Sequence, residues 1–238
     1  VTFAGIPFPV TDLPCSPGNV HLVPAGTVHA LPFASGAAVR DSANQCDASD
    51  AASIYLSENR HSVMAGLSQE LGDTAKLDLR GYFMNRWAYQ SQGPFLSTQF
   101  LGTAAFGFTP SPFMAAHKLT ASPTEIQQIS FAWGGDEANN ANVTLETWGI
   151  APSLTAGLGT GWQLRALASY GESTTRSRTR AVNGNALPNA IRAGLFNPYD
   201  PEASDPAALA AVGNLETFGL ARQGLPNARL VVDGDLLT

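Results

Sequence analysis

The 238-residue chain is short of charge, of cysteine and of long apolar runs, and each shortage removes a class of protein. No stretch approaches the 18 or so consecutive apolar residues that a membrane helix needs, and no basic segment leads into an apolar one near Val1. Only 13% of the residues are charged, the formal net charge is -6, and no basic cluster is present, which argues against nucleic acid as a partner. The two cysteines, Cys15 and Cys46, form no CxxC or Cys/His pattern suited to zinc. His21, His29, His61 and His117 stand far apart, with no HExxH pair and no GxSxG turn. His61 and Ser62 are adjacent in an alternating run, so they face opposite sides and do not pair as base and nucleophile. Gly157, Gly159 and Gly161 form a GxGxG pattern, but a strand-like run follows where a nucleotide fingerprint requires a helix. The expectation is a protein without catalytic residues, cofactor or metal.

What the chain does have is alternation. In Ala75 to Gln90, Leu77, Leu79, Phe83 and Trp87 oppose Lys76, Asp78, Arg80, Tyr82 and Arg86, because successive strand residues switch faces. In Arg60 to Leu71, Val63, Ala65, Leu67 and Leu71 oppose Ser62, Gly66, Ser68 and Glu70. Gly72, Asp73 and Thr74 join the two runs, which predicts a long antiparallel hairpin. The pattern recurs from Thr144 to Leu158, where Trp148, Ile150, Leu154, Ala156 and Leu158 share a face. It recurs again from Trp162 to Glu172, where Trp162, Leu164, Ala166, Ala168 and Tyr170 oppose Gln163, Arg165, Ser169 and Gly171. Gly159 to Gly161 make the turn of this second hairpin. A further alternating run, ARLVVDGDLLT, closes the sequence, with Leu230, Val232 and Leu236 opposite Arg229, Asp233 and Asp235. Strands average about 5–6 residues in ordinary domains; runs of this length, apolar on one face and charged on the other, suit a barrel in a membrane. Such strands need only about 9–11 residues and hide their apolar side chains at alternate positions.

Cys15 and Cys46 lie in a Pro- and Gly-rich stretch, where they are either two free thiols or a disulfide. The disulfide is expected if the segment meets an oxidising compartment.

The order of CSPGNV (Cys15 to Val20), QCD (Gln45 to Asp47), ENRHSVMAGLSQEL, LDLRGYFMNR, LTAGLGTGWQLRALASYGES, LFNPYDP (Leu195 to Pro201) with DPAALAAV, and NARLVVDGDLLT resembles TonB-dependent receptors of Gram-negative outer membranes. The resemblance implies an all-β fold: antiparallel strands forming part of a transmembrane β-barrel, 22-stranded in the family, with long extracellular loops and one short loop helix. It implies energised uptake of a scarce ligand such as a ferric chelate, vitamin or oligosaccharide, with outer-membrane lipid, lipopolysaccharide and the small-molecule ligand as partners. TonB would engage through a plug domain that has no counterpart in these residues. The chain then reads as an interior portion holding about five of the 22 strands. A passive porin and a secreted β-rich binding or adhesion module are the alternatives. Against the module, Trp162 and Tyr170 share the apolar face at a spacing that suits two interfacial girdles about 25 Å apart.

Short turns of such barrels face the periplasm and long loops face outward. That divides the chain into an extracellular segment 1–58, a hairpin 59–90, a loop 91–142, a hairpin 143–172, a loop 173–228 and a strand 229–238. Leu77, Leu79, Phe83, Trp162 and Tyr170 are expected to face lipid, and Asp78, Arg80, Arg86 and Arg165 the lumen. Within the middle loop, Ile126 to Trp133 is expected to pair with Val143 to Trp148 around a turn at Asp136 to Ala141. In the last loop, Asp205 and Pro206 signal a helix start, followed by alanines and Gly213. Asn197, Asp200, Glu202 and Asp205 either offer oxygen ligands to Ca²⁺ or form a turn and a helix cap; their spacing matches no known calcium loop, and the turn is expected. Phe95, Phe100, Phe106 and Phe108, with Phe113 and Phe196, are candidates for stacking on a ligand or for packing within the loops. Arg176, Arg178 and Arg180 share the outward face beyond Tyr170, at the height of lipopolysaccharide phosphates; a bulge would turn them inward.

Overall fold

A computed structural model describes residues 2–3, 6–7, 14–23, 25–33, 43–47, 51–159 and 161–234. Thr160 in the second turn, and Asp235 and Leu236 in the final run, lie outside the described residues. The strands are β1 (Thr2–Phe3), β2 (Ile6–Pro7), β3 (Asn19–Val23), β4 (Val28–Ala30), β5 (Ser57–Leu71), β6 (Ala75–Ser91), β7 (Phe95–Leu101), β8 (Ile126–Trp133), β9 (Asn140–Gly157), β10 (Trp162–Ala181) and β11 (Leu215–Gly234), with helices α1 (Ala186–Arg192) and α2 (Pro206–Gly213) before the last strand. Among the described residues 57% are in strands and 13% in helical turns, so the architecture is all-β and mostly antiparallel. The long strands form one open sheet in the order β11-β10-β9-β6-β5; β4-β3-β8-β7 form a second, and β1 and β2 a two-residue ribbon. Among the described residues no closed barrel is present. The chain divides into two compact units, the first from residues 1–55, 90–141 and 179–217, the second from 56–89, 142–178 and 218–238.

In the second unit the first hairpin has the expected turn and faces. Leu71 pairs with Ala75, Leu67 with Leu79 and Val63 with Phe83. Gly72 sits at φ 72°, a value the turn requires and that other residues adopt only with strain. The strands are longer than the sequence suggests: β10 runs on through the arginine row to Ala181, and β11 starts at Leu215 instead of residue 229.

The first unit differs most from expectation. Parts of the segments 1–58, 91–142 and 173–228 join in this unit, while residues 173–178 and 218–228 belong to the long strands of the second. Ile126 to Trp133 forms the centre of its sheet, pairing with β3 (Val20 opposite Ile129) and with β7 (Ser97 opposite Phe131). It does not pair with Val143 to Trp148. Consecutive glycines at positive φ, Gly134 and Gly135, redirect the chain at the end of β8. Ile129, Phe131 and Trp133 pack against Leu187, Ile191, Phe196, Tyr199 and Val212, which come from the α1–α2 region. Phe196 contacts both Phe131 (5.8 Å between centroids) and Trp133 (5.2 Å, edge-on).

Two helices stand where one was expected. Asp205 caps α2 as foreseen, its Oδ1 accepting from the Ala208 N–H at 2.9 Å behind Pro206. For α1 the capping oxygen is Asn183 Oδ1, which accepts from Asn185 and Ala186 N–H. Pro188 is tolerated because it lies in the first turn, where N–H groups lack helical partners. Leu187 and Ile191, four apart, bury one face.

Cys15 and Cys46 are joined as a disulfide with 5.4 Å between their Cα atoms. Cys15 sits beside the sheet, its carbonyl accepting from Ala132 N–H at 2.7 Å. Asn44, two residues before Cys46, holds the same loop: its side-chain amide donates to the carbonyls of Gly18 (3.0 Å) and Leu31 (2.8 Å), and its backbone N–H donates to Asn19 Oδ1. Closing a loop of 31 residues contributes about 3–4 kcal/mol on the chain-entropy model. Intact mass with alkylation should therefore show no reactive thiol before reduction. After reduction, hydrogen exchange in residues 14–33 should accelerate, while the hairpin of β5 and β6 should be unaffected.

Candidate functional site

Two features bear on function, and the first is the long sheet. Contacts between neighbouring strands fix which faces coincide. Tyr82 of β6 lies against Gly149 of β9, where an added Cβ would stand 2.7 Å from its ring. Trp148 of β9 meets Tyr170 of β10 at 5.5 Å. Tyr170 covers Gly224 of β11, and Trp162 covers Gly234. Combined with the β5–β6 register, these contacts place Val63, Leu67, Leu71, Leu77, Leu79, Phe83, Trp148, Ile150, Trp162, Tyr170, Leu230 and Val232 on one side. Several of them are widely exposed, Leu67 at 59% and Leu230 at 69%, so nothing among the described residues covers this face. From Trp162 to Tyr170 is eight strand residues, or about 26 Å at ~3.3 Å per residue.

The opposite side carries the charges. Glu58 accepts from Arg60 at 2.8 Å and from Arg86 Nε at 2.8 Å. Lys76 stands 3.8 Å from Asp78, and Arg165 stands 3.6 Å from Asp233. Asp78, Arg80, Arg86 and Arg165 thus share the face that Leu77, Leu79, Phe83, Trp162 and Tyr170 avoid. Tyr82 also lies here, flat over the sheet with its hydroxyl close to Gly171 as well as Gly149. The seating of aromatic rings on glycines of the neighbouring strand has a sequence signal, glycines at alternate positions opposite Tyr or Trp, but the register is needed to read it.

Beyond Tyr170 the apolar face changes character. Glu172 pairs with Arg222 at 3.3 Å, Arg178 lies 5.9 Å over the Phe218 ring, and Arg176 is exposed. Arg180 departs from the row: its Nε donates to the Gly213 carbonyl at 2.8 Å, with its guanidinium 5.9 Å from the Phe95 ring.

The second feature is a cleft of about 780 Å³ in the first unit, bordered by the Cys15–Cys46 disulfide, Phe95, Trp133, the Gly134–Gly135 turn, helix α2 and Arg180. Asp47, Asp136 and Glu202 also line it. Of the candidate aromatics only Phe95 borders this space. Phe95 and Phe100 lie on opposite faces of β7 by alternation, Phe106 is exposed in the turn Ala104–Phe106, and Phe108 rests against Gly102. Phe196 is fully buried in the core, and Phe113 packs beside it. The structure does not gather these rings into one stacking site. Among the described residues no group of three or more His, Cys, Asp or Glu could hold a metal, and Asn197 and Asp205 use their side-chain oxygens on the N–H groups of Tyr199 and Ala208.

The sequence also gave no sign of a buried polar chain beneath the sheet. Tyr199 donates to Gln127 Oε1 at 2.6 Å, and Gln127 Nε2 donates to Glu125 Oε1 at 2.6 Å and to the His117 carbonyl. The His117 ring stacks on Tyr199 at 3.9 Å. Burial pushes the Glu125 carboxyl up, but hydrogen bonds from Leu119 N–H, the Thr120 hydroxyl, Gln127 and Thr120 N–H outweigh it, leaving the pKa below its ordinary 4.5. Burial, with the Glu125 charge nearby, raises Tyr199, which stays a neutral donor. A depressed carboxylate contributes stability that is present above the unfolded pKa, near 4.5, and lost as pH falls through the folded value. Glu125→Gln should flatten that acid-side loss in thermal melts between about pH 3 and 5, and an unchanged slope would assign the acid sensitivity elsewhere.

Comparison with protein-family models, with curated proteins and with solved structures returns no match for this chain.

Proposed function

We propose that the chain is part of the barrel wall of a TonB-dependent outer-membrane receptor, taking part in energised uptake of a scarce small molecule such as a ferric chelate, vitamin or oligosaccharide. The observation that carries this reading is the long sheet, whose five strands of 15 to 20 residues place an uncovered apolar band on one side and paired charges on the other. The band's height of about 26 Å suits the apolar belt of such barrels, about 25 Å tall between aromatic girdles. Trp162 marks one border, and Trp148 with Tyr170 marks the other. A secreted module would need a second layer over this face, whereas a bilayer covers it directly. The open edges β5 and β11 would pair with further strands of the barrel, since long unpaired edges invite association. TonB would act through a plug domain, and lipopolysaccharide phosphates would meet Arg176 and Arg178 just beyond the border, Arg180 being engaged elsewhere.

The test is accessibility in the intact protein. With Leu79→Cys and Arg80→Cys in membrane vesicles, a water-soluble maleimide should label Arg80→Cys and leave Leu79→Cys protected. Equal labelling of the two overturns the bilayer assignment.

A further inference from the structure

We propose that Glu125 is a latch: its ionised carboxylate holds residues 112–120 closed over Tyr199, and protonation opens that segment while the sheet beside it stays folded. Polar contacts of the segment converge on this one side chain. Glu125 Oε1 accepts from Leu119 N–H at 3.0 Å, and Oε2 accepts from the Thr120 N–H and hydroxyl, each at 2.6 Å. Gln127, which donates to Glu125 Oε1, also donates to the His117 carbonyl at 2.7 Å and accepts from the Tyr199 hydroxyl. The His117 ring, bonded through Nδ1 to the Phe113 carbonyl at 2.9 Å, covers Tyr199 at 3.9 Å between centroids. Glu125, Gln127 and Tyr199 are all buried, so these contacts belong to the interior of the unit.

The site is built for the anion. Its donors are two backbone N–H groups, Gln127 Nε2 and the Thr120 hydroxyl, and of these only the hydroxyl can accept a proton in return. A carboxyl proton would face obligate donors on the remaining sides, and burial withholds water as a substitute. Burial pushes Glu125 up, but the hydrogen bonds outweigh it, and the carboxyl stays ionised until the pH falls below its ordinary 4.5. The latch is therefore shut at neutral pH and released on the acid side. Without it the segment keeps only apolar contacts, with Phe113, Met114 and Leu119 partly buried against the core. Strand β8 is held more firmly, since it pairs along one edge with β3 and along the other with β7. That difference lets the segment open before the unit unfolds. The titratable groups around the carboxylate are Tyr199, from between α1 and α2, with His117 and Lys118 from the segment itself; Lys118 donates to the Ser122 carbonyl. The inference uses only the first unit and does not rest on the bilayer reading: the labelling contrast at Leu79 and Arg80 can fail while the latch stands.

Hydrogen exchange of the full chain, corrected at each pH for the intrinsic rate, should show residues 112–120 losing protection by about tenfold or more between about pH 5 and 3, while Ile126–Trp133 keeps its own. Glu125→Gln sets an amide N–H among the donors and should open the segment without acid. Tetranitromethane at mildly alkaline pH reads the consequence, because it attacks phenolate rings: Tyr199, covered and held neutral, should resist it in the wild type and react in Glu125→Gln, with the exposed Tyr55 as internal standard. If Glu125→Gln does not fold, the acid profile of the wild type decides. Three results would overturn the proposal: residues 112–120 and 126–133 losing protection together, opening complete above about pH 5, which would assign the event to His117, or a folded Glu125→Gln chain whose Tyr199 stays unreactive.

Discussion

Arginine in place of Leu79 should lower the stability of the membrane-assembled protein by about 2–4 kcal/mol, the cost of a cation on the lipid face near mid-bilayer. The position follows from the register. Leu79 pairs with Leu67, and both stand four residues from the turn-proximal pair Leu71 and Ala75 and four from Val63 and Phe83. They therefore occupy the middle of the apolar band on these two strands. On the other side of the same strand Arg80→Gln removes an exposed charge opposite Gly66, and its effect should stay under about 1 kcal/mol. Urea unfolding of the assembled protein in vesicles measures both. The contrast also separates the two function classes: were this face bathed in water, Leu79→Arg would be a surface substitution worth about ±0.5 kcal/mol.

The long hairpins were legible because a half-exposed strand writes its two faces directly into the chain at period two, and Gly72 names the turn between β5 and β6. The extent of β11 was not. Pro226, with Gly219 and Gly224, reads as a break in the middle of a strand, since proline donates no ladder hydrogen bond. In the fold β11 is the edge of its sheet, where proline is tolerated, and Gly224 is the seat of the Tyr170 ring.

The first unit escaped a local reading because its contacts join residues far apart in sequence. Asn19 pairs with Ser130, and Tyr199 bonds to Gln127. The expected β8–β9 hairpin rested on a good turn composition between Asp136 and Ala141. Gly134 and Gly135 instead turn β8 out of register, and the Asp136 carbonyl is taken by the Ser91 hydroxyl at 2.8 Å. The cleft was invisible for the same reason, as its lining comes from all three segments of the unit. The arginine row shows the limit from the other direction. Alternation reads Arg176, Arg178 and Arg180 as equivalent positions of a continuing strand, yet the contacts of Arg180 with Gly213 and Phe95 come from residues far away in sequence.

Phe131→Ala should destabilise the first unit by about 3–5 kcal/mol, the range for removing a fully buried aromatic side chain and leaving a cavity. Phe131 is 0% exposed in the central strand β8, with Phe196 at 5.8 Å and the backbone of Gly18 close enough that even a methyl there would touch its Cβ. Neither strand can close the gap without breaking its ladder, so most of the cavity should persist. Phe196→Ala should cost a similar amount. Because the two rings share a contact, the double variant should lose less than the sum of the singles by about 0.5 kcal/mol or more. Phe106→Ala, at a ring 55% exposed in the turn Ala104–Phe106, is the control and should shift stability by less than about 0.5 kcal/mol. Thermal unfolding gives the magnitudes, and hydrogen exchange should locate the loss in Ile126–Trp133 and its partners β3 and β7. A Phe131→Ala cost no larger than that of Phe106→Ala would mean that these three segments do not share a core, and the cleft they line would lose its walls.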